Sequence, residues 1–166
     1  FYADKVIDFA MEFFVGDDHT VEFLGWSVFH AGEHGAYGYN YVESQEELLE
    51  RILNGGGGKN GHLEALLERL IAYHKAHLSS LTSAVETQAA PRVGCYRGPV
   101  GIDMLMTADG HIHPCLELNF RMNMGILALL LHERYGSGRT VALTPPHPSG
   151  FQASLCEGKL QILYSG

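Results

Sequence analysis

The stretch Tyr96–Gly125, YRGPVGIDMLMTADGHIHPCLELNFRMNMG, constrains the fold most, because two alternating runs meet there at a short glycine-bearing connection. Ile112, Pro114, Leu116, Leu118 and Phe120 fall on one face of a period-2 strand, and His111, His113, Cys115, Glu117, Asn119 and Arg121 fall on the other. Upstream, Val100, Ile102, Met104 and Met106 alternate with Gly101, Asp103, Leu105 and Thr107. Ala108-Asp109-Gly110 between the runs reads as a hairpin loop whose glycine can take a positive φ. With three loop residues, Thr107 opposes His111 and Asp103 opposes Cys115. Asp103 then shares a face with Glu117 and Asn119, one diagonal step from Glu117, roughly 7–8 Å between backbones. A two-residue loop would turn Asp103 away.

With 166 residues, the chain suits a single domain, residues 1–166, with a real core. Its hydrophobic content of 46% and charged content of 18% describe a folded chain. A formal net charge of −8 argues against nucleic acid or an anionic membrane as the main partner. Cys95, Cys115 and Cys156 are an odd, widely spaced set without a CxxC pair, which suggests reduced thiols and a cytoplasmic setting. No apolar run approaches the ~18 residues of a membrane span. The start, FYADKVIDFAMEFFV, has no initiator Met, basic n-region or small-residue cleavage site, and reads as a chain beginning in mid-domain.

In order, Ile7–Phe13 reads as a strand, Gly16-Asp17-Asp18 as a turn and Thr20–Phe29 as its antiparallel partner. Asp8 and Glu12 share a face with Ala10; a solvated outer face is the plain expectation, a polar cleft the alternative. His30–Asn40, with three glycines, reads as a loop, so the His30/His34 spacing lacks the helix that a metal pair needs. Ser44-Gln45-Glu46-Glu47 is a capping box opening a helix to about Leu53. Asn54–Gly61 departs from a Walker A loop: Leu53 stands where the first glycine belongs, and Asn60 replaces the hydroxyl residue. A helix–helix linker is the better reading. A long amphipathic helix follows from His62 to about Val85, with His74 and His77 on or beside its apolar stripe, before Pro91 breaks the chain. Met124–Tyr135 is apolar on nearly all sides and is expected to be the most buried helix. After Pro145, Pro146 and Pro148, the tail reads as two short strands around Glu157-Gly158-Lys159.

Asp103, Glu117 and Asn119 supply hard oxygen donors, which suit Mg²⁺ rather than zinc. Arg121, two residues past Asn119 on the same face, adds a planar cationic fork matched to phosphate. Metal and arginine around a triphosphate are the parts that phosphoryl transfer requires. The bland alternative is a polar strand face that is merely wet. A nucleobase-deaminase pattern is absent: neither His111 nor His113 is followed two residues on by Glu, and Leu118 stands three after Cys115. A zinc site from His111, His113 and Cys115 is disfavoured because alternate strand residues sit about 7 Å apart.

GIDMLMTADGHIHPCLELNFRMNMG resembles the C-terminal signature of ATP-grasp enzymes, in which G-x-D/E is followed after a hairpin by E-x-N-x-R. The resemblance implies an α+β fold, an antiparallel sheet with helices packed on one face, like the C-terminal lobe of that family. It implies an ATP- and Mg²⁺-dependent ligase joining a small-molecule carboxylate to an amine or thiol through an acyl-phosphate. Asp103 and Glu117 resemble the paired Mg²⁺-binding acids, Asn119 the accompanying amide ligand, and Arg121 the arginine that contacts phosphate and the intermediate. Leu105 resembles the apolar residue that packs on adenine. The family's N-terminal lobe, with its ATP-binding lysines, has no counterpart before Phe1, so the isolated chain is expected to bind ATP weakly or not at all and to be inactive. A cut face would leave room for homodimer formation. The alternatives are a non-catalytic binding module of the same fold and a histidine-rich metal-binding domain.

Overall fold

A computed structural model describes residues 4–32, 35–57, 61–83, 96–144, 152–156 and 159–163. The protein is α+β, an antiparallel sheet with helices packed against it. The strands are β1 (Lys5–Val15), β2 (Val21–Ala31), β3 (Tyr37–Val42), β4 (Gly98–Thr107), β5 (Ile112–Asn119), β6 (Arg139–Thr144), β7 (Gln152–Cys156) and β8 (Lys159–Leu163). The helices are α1 (Gln45–Gly55), α2 (Gly61–Ser83) and α3 (Met124–Tyr135). The sheet order is β5-β4-β1-β2-β3-β6-β8-β7. Neighbours are antiparallel from β5 through β6, whereas β6 and β8 run parallel.

Alternation along β1 and β4 drives the packing. Phe9, Met11, Phe13 and Val15 point to the same side as Val100, Ile102, Met104 and Met106, and all eight are buried. Helices α1 and α2 cover that side with Leu48, Ile52, Leu53, Leu63, Leu67 and Leu78. Burying a large apolar side chain contributes roughly 1.5–3 kcal/mol, so this layer dominates stability. The start of α1 is fixed twice. Ser44 and Glu47 form the capping box. The Gln45 side chain accepts from Trp26 N at 2.6 Å and donates to Trp26 O at 3.0 Å. Gly25 makes room for it: φ is +146°, and a Cβ there would stand 2.4 Å from Gln45 Oε1.

The glycine-rich segment lies between α1 and α2, as a linker should. Residues 37–40, read from sequence as loop, belong to β3 instead. Pairing with β2 and β6, and the β preference of three tyrosines, override the local glycine. Helix α3 is only partly buried, although a smaller share of its residues is exposed than in α1 or α2. Gly125, Ile126 and Ala128 are buried, but Leu130 is 50% exposed and Tyr135 46%. A helix apolar all round still offers only one side to a sheet; here that side meets Val42 and Val141, while its first turn rests on the polar face of the sheet at Glu12 and Ser27. His74 is buried with its ring edge against Phe13, and His77 stacks on Tyr73. His34, Pro91, Cys95, the three tail prolines and the Glu157-Gly158 turn lie outside the described residues. Among the described residues, no helix is long and apolar enough to cross a membrane.

Candidate functional site

The β4–β5 turn has three residues. Thr107 N donates to His111 O at 3.0 Å and Gly110 N to Thr107 O at 2.9 Å, with Gly110 at φ +80°. Asp109 Oδ1 accepts from Thr107 Oγ1 at 2.7 Å and from His111 N at 3.1 Å, which pins the loop. Met106 then pairs with Ile112 and Leu105 with His113. Beyond them the ladder departs from the simple register. Pro114, Cys115 and Leu116 stand against Met104 alone, so β5 carries two residues more than β4 there, and Asp103 pairs with Glu117 rather than Cys115. Proline has no N–H to give to a ladder, which accounts for the bulge forming at this place. An excess of two preserves the side on which every later residue falls. Asp103 and Glu117 are therefore direct cross-strand neighbours, closer than the diagonal relation expected. The bulge also lifts Pro114 and Leu116 out of the apolar face: both are exposed, Leu116 at 45%.

The remaining candidates converge on this pair. Asn119, 6% exposed, donates from Nδ2 to Asp103 Oδ2 at 3.1 Å. Arg121 Nη2 donates to Asn119 Oδ1 at 2.9 Å. Burial, and then the charge of Glu117, push the Asp103 carboxyl up to about 6, against the opposing influence of Asn119 and Arg121. Asp103, Glu117, Asn119 and Arg121 line one cleft of about 300 Å³ together with Glu12, Ser27, Asn40, Asn123 and Gly125. A second cleft of about 280 Å³ shares Phe29, Ala31, Gly35, Asp103 and Glu117 with the first and adds Leu105, Leu116, Lys5 and Asp8. Leu105 thus sits on an apolar wall beside the carboxylates.

Sequence reading missed part of this site. Asp8 and Glu12 are not on a solvated face: they are 7% and 1% exposed. Asp8 is tied to Lys5 Nζ at 2.6 Å and accepts from Ala31 N at 3.3 Å. Glu12 accepts from Ser27 Oγ and from Asn123 Nδ2, each at 2.8 Å. Burial pushes Glu12 up to about 7, the two hydrogen bonds only partly opposing it. Asn123 is also the N-cap of α3, its Oδ1 accepting from Ile126 N at 2.9 Å. An asparagine just before an apolar helix was the available signal for that role. Asn40, 1% exposed, accepts from Tyr37 Oη at 2.8 Å; both lay in the segment read as loop.

The described histidines gather no comparable set. His111 and His113 meet edge to face at 4.9 Å, and His30 stacks on Tyr39. Among the described residues, no group of three His, Cys, Asp or Glu side chains could hold a metal ion. No family model and no curated protein sequence matches the chain.

Proposed function

We propose that the chain carries the metal–phosphate half of an ATP-grasp site, serving an ATP- and Mg²⁺-dependent ligase that joins a small-molecule carboxylate to an amine or thiol through an acyl-phosphate. The observation that carries this reading is the direct pairing of Asp103 with Glu117, with Asn119 and Arg121 hydrogen-bonded in line beside them. The donor set fits a hard divalent cation. Two carboxyls face each other across one strand pair; burial raises Asp103 most, and the repulsion by Glu117 that adds to it is the kind a cation relieves. Asn119 Oδ1 accepts one bond from Arg121 and retains a second lone pair. Two acids and one amide hold Mg²⁺ weakly without phosphate oxygens, in keeping with an ion that arrives with its nucleotide.

Asp103, Glu117 and Asn119 would hold the ion, whose positive charge neutralises phosphate oxygens when bound. Arg121 presents its guanidinium to charge developing on the transferred phosphoryl group. Leu105, with Phe29 and Leu116, offers the apolar surface on which a base packs. Calorimetric titration of the complete protein with a non-hydrolysable ATP analogue, with and without Mg²⁺, tests the reading. Mg²⁺-dependent binding that Glu117→Gln weakens at least tenfold is expected; binding indifferent to both Mg²⁺ and Glu117 would overturn it. Binding retained without any ATP turnover in the complete protein would favour a non-catalytic module.

A further inference from the structure

We infer that Glu12 is a positioning residue for this site: through Asn123 it fixes the turn between β5 and α3, and so sets where Arg121 and Asn119 point. The inference rests on the proposed role of Arg121, but the contacts behind it stand independently.

Glu12 lies on β1, two strands away from β5, and its neighbour on β4 is Gly101, which in turn pairs with Asn119. Any side chain at Gly101 would block the path. A Cβ there would stand 2.1 Å from Asn123 Nδ2 and 2.8 Å from Glu12 Oε2. Across that gap Glu12 reaches Asn123, two residues beyond Arg121 in the chain. On the far side, a Cβ at Gly125 would come within 1.9 Å of Glu12 Oε1 and 2.4 Å of Ser27 Oγ. The carboxyl is therefore enclosed by two bare backbone positions and held by a donor on each oxygen. A carboxyl buried to 1% exposure gains nothing for stability by itself, since its desolvation is costly unless hydrogen bonds compensate. Its geometry instead ties three separate elements, β1, β2 and the start of α3, at one point. The segment so anchored runs from Asn119 to Asn123. Its backbone already turns tightly, Arg121 N donating to Asn119 O at 2.9 Å. Anchored at Asn123 and bonded through Nη2 to Asn119, the exposed Arg121 side chain starts from a fixed backbone and is held at one nitrogen of its fork.

Two variants separate this role from simple support of the fold. Glu12→Gln keeps the shape but turns one acceptor oxygen into a donor. Asn123→Ser keeps an N-cap for α3 while removing the link to Glu12. In ¹⁵N-resolved NMR spectra, both variants are expected to shift the Arg121 backbone and guanidinium signals and the Asn119 side-chain amide, leaving the amides of Leu48 and Leu67, under the opposite face, in place. Unmoved Arg121 and Asn119 signals in both variants would overturn the inference, whatever the protein binds. Affinity for the Mg²⁺–ATP analogue supplies the second readout. Glu12→Gln is expected to lower it about tenfold in the wild-type background and not at all when Arg121 is already Ala. An equal loss in both backgrounds would show that Glu12 acts other than through Arg121. If the complete protein binds no Mg²⁺–ATP analogue, the proposed function fails and the NMR shifts alone decide the role of Glu12.

Discussion

The two faces of the sheet come from the same alternating strands, yet they are finished differently. Along β1, Phe9, Met11 and Phe13 disappear beneath α1 and α2, while Asp8, Ala10 and Glu12, which alternate with them, are also buried on the other side. The first face is sealed by packing alone. The second is closed by specific polar contacts: Lys5 to Asp8, Ser27 and Asn123 to Glu12, Asn119 to Asp103. Packing tolerates exchange among apolar residues of similar volume, whereas a buried polar cluster tolerates loss of no partner. One face therefore holds the fold, and the other carries the polar cluster to which we assign the chemistry.

Substitutions can break that division, beginning with the largest expected effect. Phe13→Ala empties a fully buried position on the apolar face and is expected to cost about 3–5 kcal/mol in urea unfolding. A cost below about 1 kcal/mol would mean that this face does not dominate stability. Gly125→Ala forces a methyl group against Glu12 and Ser27 on the polar face, and about 1–3 kcal/mol of destabilisation is expected. Glu117→Gln, in contrast, removes a charge that repels Asp103, so unfolding free energy should hold or rise while Mg²⁺–ATP affinity falls at least tenfold, ~1.4 kcal/mol. A loss of stability matching the loss of affinity would erase the distinction between the faces.

The smallest effect is the pH dependence. Asp103 and Glu12 are raised in the folded state to about 6 and about 7, from ordinary values of 3.8 and 4.5. The folded protein thus holds protons that the unfolded chain has released. The contribution of both groups is fully present below about pH 4 and is lost as pH rises through about 6 and 7. Asp103→Asn should flatten the lower part of that decline, followed by thermal melts across the range. A decline of unchanged shape in the variant would remove Asp103 from the account.

Much of this was legible in the chain. The turn at Ala108-Asp109-Gly110 was placed by alternation on both sides and a glycine in the right place, while its length of three residues rather than two came from the structure. The face shared by Asp103, Glu117, Asn119 and Arg121 followed from parity, and the capping box at Ser44 from local spacing. The bulge at Pro114 was not legible in its effect, because proline forbids one hydrogen bond without stating how many residues the strand will spare to avoid it. Glu12 was ambiguous for a different reason. Polar alternation looks identical whether water or another element covers it, and what covers Glu12 is the beginning of α3, 111 positions along the chain. β3 was hidden because its pairing partners, β2 and β6, outweigh glycines that locally suggest a loop.

The Pro114 bulge also bears on how the molecule meets its neighbours. β5 ends one side of the sheet, where an unpaired edge is an open template for a strand from another chain. A proline, two surplus residues and a local bend spoil that template along its middle, so edge-to-edge aggregation is blunted beside the acidic cleft. Because the surplus is even, the same three residues blunt the edge without turning Glu117 off its face. A single inserted residue would do the first and undo the second.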